Sequence, residues 1–183
     1  MPELTREKAQ LMSASEIERT LVRLAHEVLE QAQDLSKLAF IGIRRRGVPL
    51  AQRIAARIAA LETLTIPVGV LDINLYRDDL STVGAKPVLN ATEIDFSVTG
   101  KDIILFDDVL YTGRTTRAAL DALFDQGRPD RIQLCVLIDR GHRELPIEAR
   151  YVGRNVQTTD KEIIEVKFRE VDEMEKVLLV ERL

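Results

Sequence analysis

Apolar side chains recur along this chain at more than one spacing, and each spacing announces a different element. Ile17, Leu21, Leu24, Ala25, Val28 and Ala32 stand three or four apart, which lines them along one face of a helix. Ser15-Glu16-Ile17-Glu18 has the spacing of a capping box, so the helix is expected to begin there. At about 100° per residue, Arg19, Arg23 and His26 share the opposite face, with Glu30 among them. Leu38 to Ile43 is continuously apolar, as a strand buried on both sides would be. It runs into Arg44-Arg45-Arg46-Gly47 and a second helix with Pro49 in its first turn.

Further strands are expected at 67–75, 103–106 and 131–138, and a helix at 114–125 that Gly127 and Pro129 bring to an end. An irregular polar stretch to Glu148 precedes short strand patterns at 163–168 and 177–180. Strands alternating with helices define an α/β fold, a mostly parallel sheet flanked by helices with ligands at the strands' carboxyl ends. Roughly 25 residues of mixed polarity separate the second strand from the third, and connections of that length are usually functional. Nothing reads as a repeat, a linker or a second domain, so residues 1–183 are expected to form one.

Composition narrows the class. The chain is 45% hydrophobic and 31% charged, and at this size a domain removes roughly 70% of its unfolded surface from water without a metal or disulfide. With 26 basic and 30 acidic residues and a net charge of −4, bulk positive charge cannot hold it to nucleic acid. Arg44, Arg45, Arg46, Arg53 and Arg57 nonetheless fall in a stretch to Leu61 without a single acid, an anion-attracting region. Cys135 is alone and there are two histidines, so no Cys or His metal cage is possible and no protein side chains are assigned to a metal. No apolar run approaches the ~18 residues of a membrane span and the first twenty residues carry no signal pattern. A cytoplasmic protein without a membrane partner is expected.

The chemistry concentrates in Ile103-Ile104-Leu105-Phe106-Asp107-Asp108-Val109-Leu110-Tyr111-Thr112-Gly113-Arg114-Thr115. A buried strand ends on two carboxylates, and a Thr-Gly-Arg-Thr turn opens the next helix. A helix start presents unpaired N–H groups and a positive dipole end to a phosphate, while adjacent carboxylates accept hydrogen bonds from sugar hydroxyls. Together they describe a ribose phosphate. The alternative is a plain strand end with two solvated acids.

This segment resembles the phosphoribosyl diphosphate motif of the type I phosphoribosyltransferases. Leu75-Tyr76-Arg77-Asp78-Asp79-Leu80, Asp108 to Thr115, and Asp139-Arg140-Gly141-His142-Arg143-Glu144-Leu145-Pro146-Ile147 resemble one branch, the bifunctional pyrimidine operon attenuation regulators and uracil phosphoribosyltransferases. Leu24 to Glu27 and Val152 to Val156 extend the likeness over nearly the whole chain. The resemblance implies the type I fold with a small hood, formed from about 139–183 with the N-terminal helix, and a mobile loop at about 76–102.

It also implies roles. Asp107 and Asp108 hold the ribose hydroxyls of phosphoribosyl diphosphate, Tyr111, Thr112, Gly113, Arg114 and Thr115 the 5′-phosphate, and Arg45, Arg46 and Gly47 the diphosphate. This last loop often contains a non-proline cis peptide, expected before Arg46. Arg77 reaches over the diphosphate as the loop closes, and Asp139 and Arg140 lie beside the base. Mg2+ travels with the diphosphate substrate. Uracil and phosphoribosyl diphosphate would give UMP, and UMP or UTP in the same pocket would govern binding to leader mRNA of pyrimidine genes. The RNA surface is expected at Arg23, His26, Arg143 and Arg154 on a homodimer or higher homo-oligomer. Three positions depart from the family pattern: Arg45 and Val22 replace Thr, and Glu148 replaces Arg. A salvage transferase for another base, with little RNA binding, remains the alternative.

Overall fold

The computed structural model describes residues 4–73 and 92–183. In chain order these form β1 (Thr5–Met12), α1 (Ala14–Gln31), a 3-10 turn (Leu35–Lys37), β2 (Leu38–Ile43), α2 (Gly47–Glu62), β3 (Val68–Leu71) and β4 (Asp102–Leu110). Then follow α3 (Arg114–Phe124), β5 (Arg131–Asp139), β6 (Tyr151–Asn155), β7 (Glu162–Lys167), the short α4 (Arg169–Asp172) and β8 (Lys176–Arg182). Arg77 and most of the expected 76–102 loop lie outside the described residues.

Five strands pair in parallel in the order β3-β2-β4-β5-β6. The chain moves outward from β2 to β3, then returns to place β4 on the other side of β2. That reversal opens a crevice at the carboxyl ends of β2 and β4, where ligands of such sheets bind. Both faces of the sheet are covered, and alternate residues divide between them. Leu38, Phe40, Ile104, Phe106, Cys135 and Leu137 join the core beneath α1 and α2, while Ala39, Ile41, Ile43, Ile103, Leu105 and Val136 join the core beneath α3. Phe40 and Phe106 centre the first core with ring centroids 4.7 Å apart.

A second, antiparallel sheet of order β1-β8-β7 stands beside this one. The expected hood is corrected in two ways. Its N-terminal contribution is the strand β1 rather than the helix, because α1 packs on α2 and β6. Residues 151–155, placed by expectation in the hood, instead form the fifth strand of the main sheet. β1 was missed because six of its eight positions are exposed and carry no alternation; pairing with β8 alone makes it a strand.

The helix start is corrected as well. Ser13, not Ser15, is the N-cap, its Oγ accepting from the Glu16 N–H while the Glu16 carboxylate accepts from Ser13 N–H at 2.7 Å. Ser13 to Glu16 has the same capping spacing, and Met12 is buried on one side while Ile17 is buried on the other, so burial selects the earlier register. Among the described residues no helix is long and apolar enough to cross a membrane.

Candidate active site at the switch point of the sheet

β2 ends at Ile43 and the Arg44 to Gly47 loop turns straight into α2. The turn is tight: a Cβ on Gly47 would stand 2.1 Å from the Phe106 carbonyl oxygen, so only glycine lets this loop lie against β4. The cis peptide joins Arg44 to Arg45, one bond earlier than expected. α2 then begins without a side-chain cap and without an acid in its first turn.

Directly opposite, β4 carries Asp107 and Asp108. Asp107 is buried, not solvent-facing, and one of its oxygens accepts the Asp108 N–H at 2.9 Å. Gly113, at φ 91°, is the N-cap of α3, a backbone conformation that suits glycine, and α3 too starts with neither a capping side chain nor an acid. Two helix N-termini of matching polarity therefore border one cleft of about 340 Å³, lined by Arg45, Arg46, Asp72, Asp107, Asp108 and Thr115. Cations and amide donors lie at its edges and carboxylates at its floor, a division that fits an anionic sugar.

The turn at 111–115 is braced from behind. Thr112 O accepts the N–H groups of Glu144 and Leu145 at 3.0 and 3.2 Å, and Arg114 Nε donates to Glu144 at 2.6 Å. Arg143 reaches the Tyr111 carbonyl, the Ile147 carbonyl (both 2.8 Å) and Asp139 (2.5 Å). Arg140 is buried, donates to the Glu162 carbonyl at 2.8 Å and to Thr158 at 3.0 Å, and lies over the Tyr111 ring. The residues expected to flank the base and those expected to hold the phosphate are thus one connected assembly.

The five arginines of the basic stretch do not act together. Arg53 pairs with Glu170 and Glu175 on the hairpin that links β7 to β8, Arg57 pairs with Glu18 on α1, and Arg46 makes a two-pronged pair with Asp172 of α4. Bonding to Asp172 raises the Arg46 guanidinium above its ordinary value and holds the Asp172 carboxyl below its own. Arg45 is exposed and makes no ion pair among the described residues. Arg44 pairs with Glu93 at 3.7 Å. All these acids lie outside the stretch, those of Arg46 and Arg53 more than 100 positions further along and that of Arg57 on the first helix, so the sequence stretch looked purely cationic while the folded one does not.

Among the residues expected to meet RNA, Arg23 and Arg154 line one groove with Arg19 and Thr20, at the junction of α1 and β6. Arg23 donates to the Val152 and Gly153 carbonyls and Arg154 to the Leu11 carbonyl, so both are oriented by backbone. His26 and Val22 are exposed on the same helix. Arg143 is not in that groove: its guanidinium is turned inward to the Tyr111 turn. Glu148 is exposed on the rim of a different groove, between the 146–150 segment and α3. Asp72, not expected at the site, also lines the cleft: the expected strand at 67–75 ran through it, whereas β3 ends at Leu71 and leaves Asp72 just past the strand's carboxyl end.

A parallel sheet with a cleft of cations, carboxylates and helix starts at its switch point is an architecture that phosphoribosyltransferases share, and residues 8–170 match the phosphoribosyl transferase domain model. The chain belongs to that family. It is 56% identical to the bifunctional protein PyrR of Pelotomaculum thermopropionicum over 178 residues, covering 97% of this chain and 98% of that one. It is 58% identical to bifunctional protein PyrR of Thermus thermophilus over 175 residues, or 96% and 97% of the two chains. A solved hypoxanthine phosphoribosyltransferase from Staphylococcus aureus shares the fold at a TM-score of 0.69 and 19% identity, covering 97% of this chain and 93% of that one.

Proposed function

We propose that this protein transfers the phosphoribosyl group of Mg2+-bound phosphoribosyl diphosphate to uracil, and that with UMP or UTP in the same pocket it binds leader RNA and attenuates transcription of pyrimidine biosynthesis genes. The observation that carries the first part is the cleft itself, with Asp107 and Asp108 facing the Arg45 to Gly47 loop between two uncapped helix starts. Relatives 53–58% identical, all named bifunctional, favour this pair of activities over salvage of another base.

In the reaction, a uracil nitrogen forms its bond to ribose C1 as the C1–O bond to diphosphate breaks; diphosphate leaves with the electron pair, and the proton the nitrogen gives up passes to solvent or to a diphosphate oxygen. Asp107 and Asp108 hold the ribose hydroxyls while the α3 start fixes the 5′-phosphate, so C1 is presented between base and leaving group. Arg45 and the α2 start stabilise charge as it accumulates on the departing diphosphate. Hard oxygens of the substrate carry Mg2+, and the carboxylates at the cleft floor suit such an ion. Arg77 is assigned to the closing loop and Asp139 with Arg140 to the base side. No covalent nucleophile takes part.

The α1 and β6 groove of Arg19, Arg23 and Arg154, joined by His26, is assigned to RNA in a homo-oligomer acting in the cytoplasm. Incubation with labelled uracil, orotate, hypoxanthine and guanine tests the enzyme, and filter binding to the organism's leader transcript with and without UMP tests the regulator. Uracil should be the base incorporated, and UMP should tighten the RNA complex. Incorporation of a purine instead would sink the assignment.

A further inference from the structure

Arg46 connects two parts of the molecule that sequence leaves 126 positions apart: Nε donates to one Asp172 oxygen at 3.1 Å and Nη2 to the other at 2.6 Å. The Asp172 carboxylate is fixed from its own side by the Phe168 N–H at 3.0 Å. Such a fork fixes orientation as well as distance, and with side chains 27% and 12% exposed the pair is only partly screened by water. The neighbouring Gly47 is pressed on the Phe106 carbonyl. Between these two anchors the backbone from Arg45 to Gly47 has little freedom. Arg46 has two of its nitrogens committed to Asp172, which leaves the exposed Arg45 as the cation of the loop most available to an anion.

The other end of the connection also matters. β7 begins at Glu162, whose carbonyl accepts from Arg140 on the base side of the cleft, and leads through Phe168 to Asp172. One strand thus has the base side at its start and the diphosphate loop at its end. We propose that Asp172 is a positioning residue for the diphosphate loop, acting through Arg46 and tying that loop to the hairpin beside the base. The proposal rests on reading this cleft as the phosphoribosyl diphosphate site.

The test is calorimetric titration of wild type, Asp172→Asn, Arg46→Lys and Glu170→Gln with inorganic diphosphate and Mg2+, together with KM values for both substrates. Asp172→Asn removes the charge and Arg46→Lys removes the fork, and each should weaken diphosphate about ten-fold and raise the KM for phosphoribosyl diphosphate in step. The KM for uracil should change less than about two-fold. Glu170→Gln weakens another ion pair of the same hairpin, but Glu175 still holds Arg53, so diphosphate affinity should stay at the wild-type value. Unchanged diphosphate binding in Asp172→Asn and Arg46→Lys overturns the proposal. So does an equal loss in Glu170→Gln, because the hairpin would then act only through general stability. If wild type itself binds neither diphosphate nor phosphoribosyl diphosphate, the reading of the cleft fails and the proposal falls with it, a result distinguishable from the other two.

Discussion

The guanidinium of Arg140 lies 3.9 Å from the centre of the Tyr111 ring, and His142 meets the same ring edge-on at 5.9 Å. Burial pulls the Arg140 guanidinium below its ordinary value, yet the ring face and the acceptors at Thr158, Thr159 and Glu162 supply what water no longer does. Tyr111 belongs to the turn assigned to the 5′-phosphate and Arg140 to the base side. Their stacking joins the two proposed ends of the site through one direct contact.

Arg140→Ala should therefore cost both stability and ligand. It takes the buried donor from the Glu162 carbonyl, whereas the exposed Thr159 carbonyl keeps the Glu162 N–H, and one unsatisfied buried acceptor costs about 1 to 3 kcal/mol, so a loss of that size is expected. Urea denaturation should show a lower midpoint at unchanged slope. UMP titration should show weaker binding, and Arg140→Lys should recover only part of either.

Asp107→Asn combined with Asp108→Asn should spare the fold and disable the chemistry. An asparagine oxygen at 107 can accept the same Asp108 backbone N–H, so the melting temperature should move by no more than a few degrees. Turnover should fall by about 100-fold or more if, as proposed, these carboxylates hold the ribose, because charge is then lost at the reacting sugar. Full turnover with normal affinity for phosphoribosyl diphosphate would remove these residues from the site.

Glu162 gives the fold a dependence on acid. Bonding to Lys8 at 2.5 Å, then to the Thr159 N–H, lowers its carboxyl from the ordinary 4.5 to about 2. A depressed carboxyl contributes stability that is fully present above its unfolded value and disappears as pH falls through the folded one. The Glu162 contribution should therefore fade between about 4.5 and about 2. Thermal melts from pH 7 downward should show wild type and Glu162→Gln converging over that window; a constant difference would mean the charge is irrelevant.

Arg19→Ala tests the RNA groove with the least structural disturbance, since Arg19 is exposed whereas Arg23 and Arg154 also hold backbone. Affinity for the leader hairpin should fall and the salt slope should drop by about one contact. Uracil turnover should be unaffected. Arg143→Ala should do the reverse, slowing turnover by loosening the Tyr111 turn, and a salt slope that falls with it would return Arg143 to the RNA surface.

Much of this was open to reading along the chain. The buried strands at 38–43 and 103–106, the carboxylates that follow the second and the Thr-Gly-Arg-Thr turn after them are local patterns. Backbone geometry and residue type alone fix what they present, and the structure extends that second strand through Leu110. What local pattern misjudged were the elements whose order depends on distant partners: β1, which is a strand only because β8 lies beside it, and β6, whose five residues become an edge strand through β5.

Charge shows the same division. The sequence determined an α/β domain with a ribose-phosphate motif and an arginine-rich loop opposite it, because hydrophobic period and helix-start chemistry act over a few residues. Only the tertiary structure decided what each arginine does, since an ion pair depends on distance through space. Asp172, Glu170 and Glu175 return from more than 100 positions away to bind Arg46 and Arg53, Glu18 takes Arg57, and Arg45 is left exposed at the cleft.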